Sequence, residues 1–147
     1  MTASWPKVYR SMVPQASEPM VPAVGPASNM LRARLPPDPR ADVHPDASGH
    51  VGPTKEGLSV CPSLRLLPPS LVPERLREQR PGARGENALR VFCLGNESFV
   101  RAPIGTSLEL LPTSSKHGVV QPVRSMPVQD YQQALAATQT LWVVDET

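Results

Sequence analysis

The sequence has few aromatic side chains, few cysteines and no long apolar run. Its 147 residues include two each of Phe, Trp and Tyr, so the chain offers few flat rings for stacking nucleic-acid bases. Cys61 and Cys93 form no Cys-x-x-Cys pattern, and the three histidines lie at irregular distances from them, which argues against a structural zinc site. We therefore expect two free thiols in a reducing compartment and no metal.

Membrane-spanning and secretory segments are also missing. No apolar run approaches the roughly 20 residues that a bilayer-crossing helix needs. Met1 to Lys7 contain no apolar signal-peptide core. The net charge of +2 is too close to neutral to drive nucleic-acid binding. We expect a cytoplasmic protein, or one delivered into a target cell without a cleavable signal, with neither a membrane nor nucleic acid as a favoured partner.

Several motifs of common enzyme classes are absent. The chain contains no phosphate-binding Gly-rich loop and no dinucleotide fingerprint. Ser59 is followed by Val60 and Cys61, so it does not belong to a Gly-x-Ser-x-Gly elbow of a hydrolase. The segment His44-Pro45-Asp46 occurs in chaperone J-domains, but the prolines around it exclude the two flanking helices. We expect it to shape a loop, with Asp46 accepting backbone hydrogen bonds.

Proline is the abundant residue, and its 19 copies exclude long helices. The length and this composition predict a single domain over residues 1–147, of class α+β, built from short strands, a few short peripheral helices and long loops. Residues 14–56 are the most proline-rich stretch and are predicted to form a long loop region without regular ladders. Within it, Met30 to Leu35 can form one or two helical turns.

Strand propensity and turn residues predict the β elements. A hairpin is expected from residues 88–94 and 98–102 around the turn pair Gly95-Asn96. Further strands are predicted at Lys7 to Val13, Leu58 to Cys61, Leu108 to Leu111 and Gly118 to Val123.

Two helices are predicted. The first is short and covers Pro73 to Arg80, where proline is tolerated in the first turn and Pro81-Gly82 ends the helix. The second begins near Pro127 and has an apolar face that we expect to pack on the core. That face recurs at helical spacing through Tyr131, Leu135, Thr138 and Trp142.

An ordered series of short landmarks runs along the chain. It consists of Tyr9-Arg10, His44-Pro45-Asp46, Gly57-Leu58-Ser59-Val60, Pro103-Ile104-Gly105-Thr106, His117 to Pro122 and Met126 to Leu135. Their order resembles that of the Tse-two family of type VI secretion toxins, including its eukaryotic and fungal relatives, which are similar to mono-ADP-ribosyltransferases. The resemblance covers nearly the whole chain and is densest over residues 99–135.

The resemblance implies a split β-sheet core that holds NAD in the cleft between its halves, and transfer of ADP-ribose to an unknown intracellular macromolecule. It implies catalytic roles for Arg10, Ser59 and His117, and NAD contacts from Tyr9, Arg10, Ser59 and Gln121. A cognate immunity protein is the implied partner. The sequence departs from standard transferases because residues 117–123 contain no catalytic glutamate in a Glu-x-Glu or Gln-x-Glu context.

Two other functions remain open from the sequence. One is a proline-rich, loop-dominated interaction protein that is not an enzyme and folds on its partner. The other is removal of a phosphate from RNA with NAD as the acceptor. Its support is the arginine-rich stretch from Arg75 to Arg90, for which a solvated surface is the simpler interpretation.

Overall fold

The computed structural model describes residues 4–22 and 28–147. Expectations that involve residues 1–3 or 23–27, the start of the chain and part of the 14–56 loop region, lie outside the described residues. The strands are β1 (Val8–Met12), β2 (Pro14–Gln15), β3 (Glu18–Pro19), β4 (His50–Val51), β5 (Leu58–Val60), β6 (Arg90–Leu94), β7 (Ala102–Ile104), β8 (Leu108–Pro112), β9 (Gly118–Pro122), β10 (Met126–Pro127) and β11 (Val143–Val144). The described helices are α1 (Val128–Ala136) and 3₁₀ turns at Leu64–Leu66, Glu74–Leu76 and Gln139–Leu141.

Two antiparallel sheets form the centre of the fold. The first has three strands in the order β1-β6-β11, with Arg10 opposite Phe92. The second has four strands in the order β5-β9-β8-β7, with Ser59 opposite Val119 and Glu109 opposite Gln121. Small two-stranded ladders, β2 with β3 and β4 with β10, flank these sheets. With one short α-helix in the described residues, the fold class is α+β, as predicted.

The two sheets meet at one point. The main chain of Tyr9 in β1 forms an isolated antiparallel bridge with Cys61, the residue after β5. No other bridge joins β1 to β5 within residues 4–22 and 28–147. Beyond this bridge the two strands diverge, and the space between them becomes a cleft.

The side chains of β1 and β6 are divided between two apolar clusters, one on each face of their sheet. Val8, Met12 and Phe92 point into the larger cluster, between the two sheets and α1. Tyr9 and Val91 have the opposite orientation in the same sheet and pack in the smaller cluster with the segment 61–83. The three-stranded sheet is therefore covered on both faces.

The predicted core-facing helix is confirmed over its first part. Tyr131 and Leu135 lie on α1 and are fully buried. Thr138 and Trp142 are also buried, but they flank a 3₁₀ turn because α1 ends at Ala136. The Tyr131 hydroxyl donates to the Val120 carbonyl and accepts from the Leu58 amide at 3.0 Å, so α1 is tied to two strands of the four-stranded sheet.

The predicted strands at Lys7–Val13, Leu58–Cys61, Leu108–Leu111 and Gly118–Val123 are confirmed within a residue or two at their ends. The predicted hairpin around Gly95-Asn96 is wrong. β6 pairs with β1 on one edge and β11 on the other, so residues 98–102 have no free edge to join. Gly95 turns the chain at φ +83°, and a Cβ there would lie 2.1 Å from the Pro6 carbonyl oxygen. The turn is thus packed against the segment that enters β1.

Two predicted helical segments are also corrected. Residues 30–35 contain no helix: residues 30–32 form a bend, and Leu31 donates its amide to the Met20 carbonyl at 2.9 Å instead of to a helical partner. Residues 73–80 contain only the 3₁₀ turn Glu74–Leu76 followed by hydrogen-bonded turns. A short helix with one buried apolar residue, Leu76, gains little from packing and does not extend further.

The described part of residues 14–56 consists of loops and turns with three two-residue strands. The prediction for Asp46 is confirmed, because its carboxylate accepts the main-chain N–H groups of Ser48 at 2.9 Å and His50 at 3.0 Å. Cys61 and Cys93 are free and buried, as expected, and burial raises the pKa of both thiols. None of the helices described is long and apolar enough to cross a membrane.

Candidate functional site

A cavity of about 370 Å³ lies where β1 and β5 diverge. Its volume is in the range of small-molecule sites. The three side chains predicted to be catalytic, Arg10, Ser59 and His117, all line it. They come from β1, from β5 and from the residue that precedes β9. The fold therefore brings together three residues that are far apart in sequence.

Arg10 is buried on the strand that forms one wall. Its guanidinium donates to the carbonyl oxygens of Ser59 at 2.9 Å and Met30 at 3.2 Å. Its Nε has no hydrogen-bond partner among the described residues. Burial lowers the pKa of Arg10 to about 10, with Asp42 acting in the opposite direction, so the group is protonated at pH 7. A buried cation that lines a cavity favours an anionic or oxygen-rich ligand.

Ser59 and His117 lie on the same face of the four-stranded sheet. Ser59 is opposite Val119, and His117 is two residues before Val119, so the period of two places both side chains on one side. His117 Nδ1 is 2.8 Å from the Thr113 hydroxyl, and that hydroxyl also donates to the His117 carbonyl at 3.1 Å. Burial lowers the pKa of His117, which favours the neutral ring at pH 7.

Ser11 also lines the cavity. Main-chain groups alternate between the two edges of a strand, so Tyr9, Ser11 and Val13 face away from β6. Tyr9 is paired with Cys61 on that edge, and Val13 donates to the Asn29 carbonyl at 2.7 Å. Ser11 has no such main-chain partner in the described residues, and its buried hydroxyl has none either.

A buried donor and acceptor without partners are costly in a folded protein, and such groups commonly mark functional positions. The Ser11 N–H and C=O therefore lie unpaired between Tyr9 and Val13, whose main-chain groups on this edge are hydrogen-bonded. A planar ligand group with an acceptor and a donor side by side, such as a carboxamide, matches this unpaired N–H and C=O.

Two predicted NAD-contacting residues do not line the cavity. Tyr9 packs in the smaller cluster, and its hydroxyl donates to Asp145 at 2.8 Å. Gln121 is buried, donates to Glu109 at 2.8 Å and accepts from the Lys55 amide at 3.0 Å. Both side chains are satisfied within the protein. Each side chain is bound by residues distant in sequence, so the sequence alone did not show that Tyr9 and Gln121 lie outside the cavity lining.

The lining residues that sequence reasoning missed include Ser11, Arg34 and Arg40. A signal existed for Ser11, because it is the polar residue next to Arg10 in an otherwise apolar strand. No signal existed for the two arginines, which lie in the proline-rich region and reach the cavity through the path of the loop. Arg34 is held by a bidentate contact with Asp42, whose hydrogen bonds raise the pKa of Arg34.

Charge in the cavity has one sign. Arg10, Arg34 and Arg40 line it, and no Asp or Glu does among the described residues. No group of His, Cys, Asp and Glu in residues 4–22 and 28–147 is arranged to hold a metal ion. A second cavity of about 270 Å³ contains His44 and Asp46 but not Ser59, so these three residues do not form a hydrolase triad.

The chain matches no family model, no curated protein and no solved structure.

Several arginines of the stretch from Arg75 to Arg90 form hydrogen bonds or ion pairs within the protein. Arg75 forms two contacts of 2.8 Å with Glu146, Arg77 donates to the Ala83 carbonyl at 3.2 Å, and Arg80 donates to the Leu67 carbonyl at 3.0 Å. The Glu146 contact joins the segment 67–89 to the residues that follow β11, whereas the other two contacts lie within the segment. This use weakens the argument that the stretch is an RNA-contacting surface.

Proposed function

We propose that this chain is an ADP-ribosyltransferase-like domain that binds NAD in the cleft between its two sheets and acts on an intracellular target. The observation that carries the proposal is that Arg10, Ser59 and His117 share one cavity with Ser11, whose main chain has no partner among the described residues. A toxin role and an immunity partner rest on the resemblance to the Tse-two family alone.

The unpaired main-chain N–H and C=O of Ser11 support binding of the nicotinamide end of NAD. The carboxamide of nicotinamide has one oxygen acceptor and N–H donors in a plane, so it can pair with the Ser11 N–H and C=O as a neighbouring strand would. Such pairing satisfies two buried groups at once. It also places the nicotinamide ring beside β1, next to Arg10.

Arg10 and Ser59 support binding of the ribose and phosphates. Arg10 brings a positive charge to the cavity, and two carbonyl contacts hold its guanidinium in place. The Ser59 hydroxyl and the ring of His117 border the same space and can orient ribose hydroxyls. Breaking the bond between nicotinamide and ribose passes through a cationic sugar, and rate enhancement comes from holding NAD in the reacting conformation.

The test is nicotinamide release from NAD by the purified chain, combined with the thermal transition measured with and without NAD. We expect turnover, and a transition that NAD raises. Ser59→Ala should lower turnover with the unfolding transition preserved, whereas Ser98→Ala, an exposed serine outside the cavity, should not. Absence of both turnover and NAD-induced stabilisation would refute the proposal and favour the interaction-protein alternative.

A further inference from the structure

The loop that joins β8 to β9 places Thr113 beside His117. The ladder between the two strands ends with Pro112 opposite Gly118, and Thr113 and His117 are the next residues on the two sides. The His117 carbonyl accepts the main-chain N–H groups of Thr113 at 2.9 Å and of Ser114 at 3.1 Å. These bonds hold the two side chains as neighbours, with the Thr113 hydroxyl oxygen 2.8 Å from His117 Nδ1.

The single proton of the Thr113 hydroxyl has two acceptors close to it. Nδ1 of His117 lies at 2.8 Å and the His117 carbonyl oxygen at 3.1 Å. The two main-chain amides already occupy both lone pairs of that oxygen, whereas Nδ1 has no other partner among the described residues. The hydroxyl therefore donates mainly to Nδ1, in a three-centre hydrogen bond whose weaker branch reaches the carbonyl. Because Nδ1 is an acceptor, the neutral ring carries its proton on Nε2.

The surroundings of His117 favour the neutral ring at pH 7. Burial lowers the pKa of His117. Among residues 4–22 and 28–147, no Asp or Glu forms an ion pair with it that would stabilise the charged ring. The charged side chains of the cavity that it lines are those of Arg10, Arg34 and Arg40. A second proton on the ring would add to this positive charge without a compensating acid.

Nε2 is the ring nitrogen that remains available to a ligand. His117 lines the cavity between β1 and β5, and Thr113 does not. Nδ1 is engaged by Thr113, whereas Nε2 makes no hydrogen bond with the described residues. A protonated Nε2 donates to an oxygen atom and has no lone pair with which to take up a proton.

We propose that Thr113 is a positioning residue that keeps the proton of neutral His117 on Nε2, so that His117 donates a hydrogen bond to a ligand oxygen and does not act as a base. This inference rests on the proposed NAD-dependent function, in which the oxygen belongs to NAD. Thr113 acts through His117, because its hydroxyl determines which ring nitrogen carries the proton and how the ring is turned.

The first experiment measures the tautomer of His117 by nitrogen NMR of the isotope-labelled full chain without NAD, at about pH 8, where the ring is neutral. We expect a protonated Nε2 and an unprotonated Nδ1 in the wild type. Thr113→Val removes the hydroxyl and should give a mixture of the two tautomers, whereas Thr113→Ser keeps the hydroxyl and should restore the wild-type pattern. A protonated Nδ1 in the wild type, or an unchanged pattern in Thr113→Val, would overturn the inference.

The matched control is Thr140→Val. It makes the same change at an exposed threonine outside the cavity lining, so the His117 signals should stay as in the wild type. A mixture of tautomers in this variant as well would show that the NMR pattern does not report on the Thr113 hydroxyl, and the assignment to Thr113 would then be wrong.

The second experiment separates a donor from a base by replacing His117 in the NAD assays. The side-chain amide of glutamine donates an N–H but takes up no proton at neutral pH, and phenylalanine keeps a flat ring that does neither. We expect His117→Gln to release nicotinamide within about threefold of the wild-type rate, and His117→Phe to weaken NAD binding by about tenfold, the loss of one hydrogen bond. Thr113→Val should also weaken NAD binding, and Thr113→Ser should restore it.

Failure of this inference and failure of the proposed function give different results. Nicotinamide release that His117→Gln abolishes as completely as His117→Phe would overturn the donor role, favour a base, and leave the NAD-dependent function intact. Absence of both nicotinamide release and NAD-induced stabilisation in the wild type would overturn the proposed function and the donor role towards NAD together. The NMR measurement without NAD would still decide whether Thr113 holds the proton on Nε2.

Discussion

The main chain of Tyr9 donates to the Cys61 carbonyl at 2.7 Å, and the Cys61 amide donates back to the Tyr9 carbonyl at 3.0 Å. This reciprocal pair joins the two sheets, and β1 and β5 separate beyond it. Ser11, two residues further along β1, therefore faces the cavity instead of a neighbouring strand. The position of this pair determines where the sheet is open and, with it, where a ligand can bind.

Replacement of Ser11 by alanine tests whether its buried hydroxyl is unpartnered. The hydroxyl loses water on folding and gains no hydrogen bond among the described residues, so its removal should stabilise the fold. We expect Ser11→Ala to raise the free energy of unfolding by about 1 kcal/mol, measured by urea denaturation. A decrease of that size would indicate that the hydroxyl has a partner in the folded state.

Gly57, which immediately precedes β5, should not tolerate a side chain. A Cβ at this position would lie 2.2 Å from the Val120 carbonyl oxygen, which belongs to the paired strand β9. We expect Gly57→Ala to destabilise the fold by about 2 kcal/mol or more, because main-chain atoms cannot easily move away. It should also weaken the NAD-induced stabilisation, since β5 carries Ser59.

The matched control for this variant is Gly52→Ala. A Cβ at Gly52 would approach Ser125 no closer than 3.7 Å, which is an ordinary contact. Its effect on unfolding should be about 0.5 kcal/mol or less. Equal effects of the two variants would contradict the close packing of β5 against β9.

The pH dependence of stability should report on His117. Burial lowers its pKa in the folded state below the ordinary 6.5, so the unfolded chain binds a proton that the folded chain excludes. The stability that neutral His117 contributes is present above pH 6.5 and is lost as the pH falls towards its folded-state pKa. NMR titration should give a pKa below 6.5, and the wild type should lose more stability than His117→Gln on acidification. A smaller loss in the wild type would reverse the assignment.

Much of the fold follows from local sequence. Val8 to Met12 alternate between the two apolar clusters as a strand requires, and Tyr131 and Leu135 lie one helical turn apart. The Asp46 turn was also predictable, because an aspartate binds nearby amides without help from the rest of the chain. The error at Gly95-Asn96 has a tertiary cause, since a good turn pair does not specify which strand β6 pairs with.

The site was predictable only in part. The resemblance to the Tse-two family singled out Arg10, Ser59 and His117, and the structure places all three in one cavity. Tyr9 and Gln121 were singled out on the same basis, but each is satisfied by a partner distant in sequence, Asp145 and Glu109 respectively. Packing of distant segments determines these hydrogen-bond partners, and the local sequence pattern does not show them.

The sequence by itself determined that this chain forms short strands, an amphipathic helix that carries Tyr131 and Leu135, and proline-interrupted loops, because propensity, periodicity and proline act over a few residues. Tertiary structure alone decided that Ser11 is left without a strand partner and that Arg34 and Arg40 reach the same cavity as Arg10. These outcomes depend on which strands pair and where they part. Contacts between distant residues set that geometry, so no local pattern reveals it.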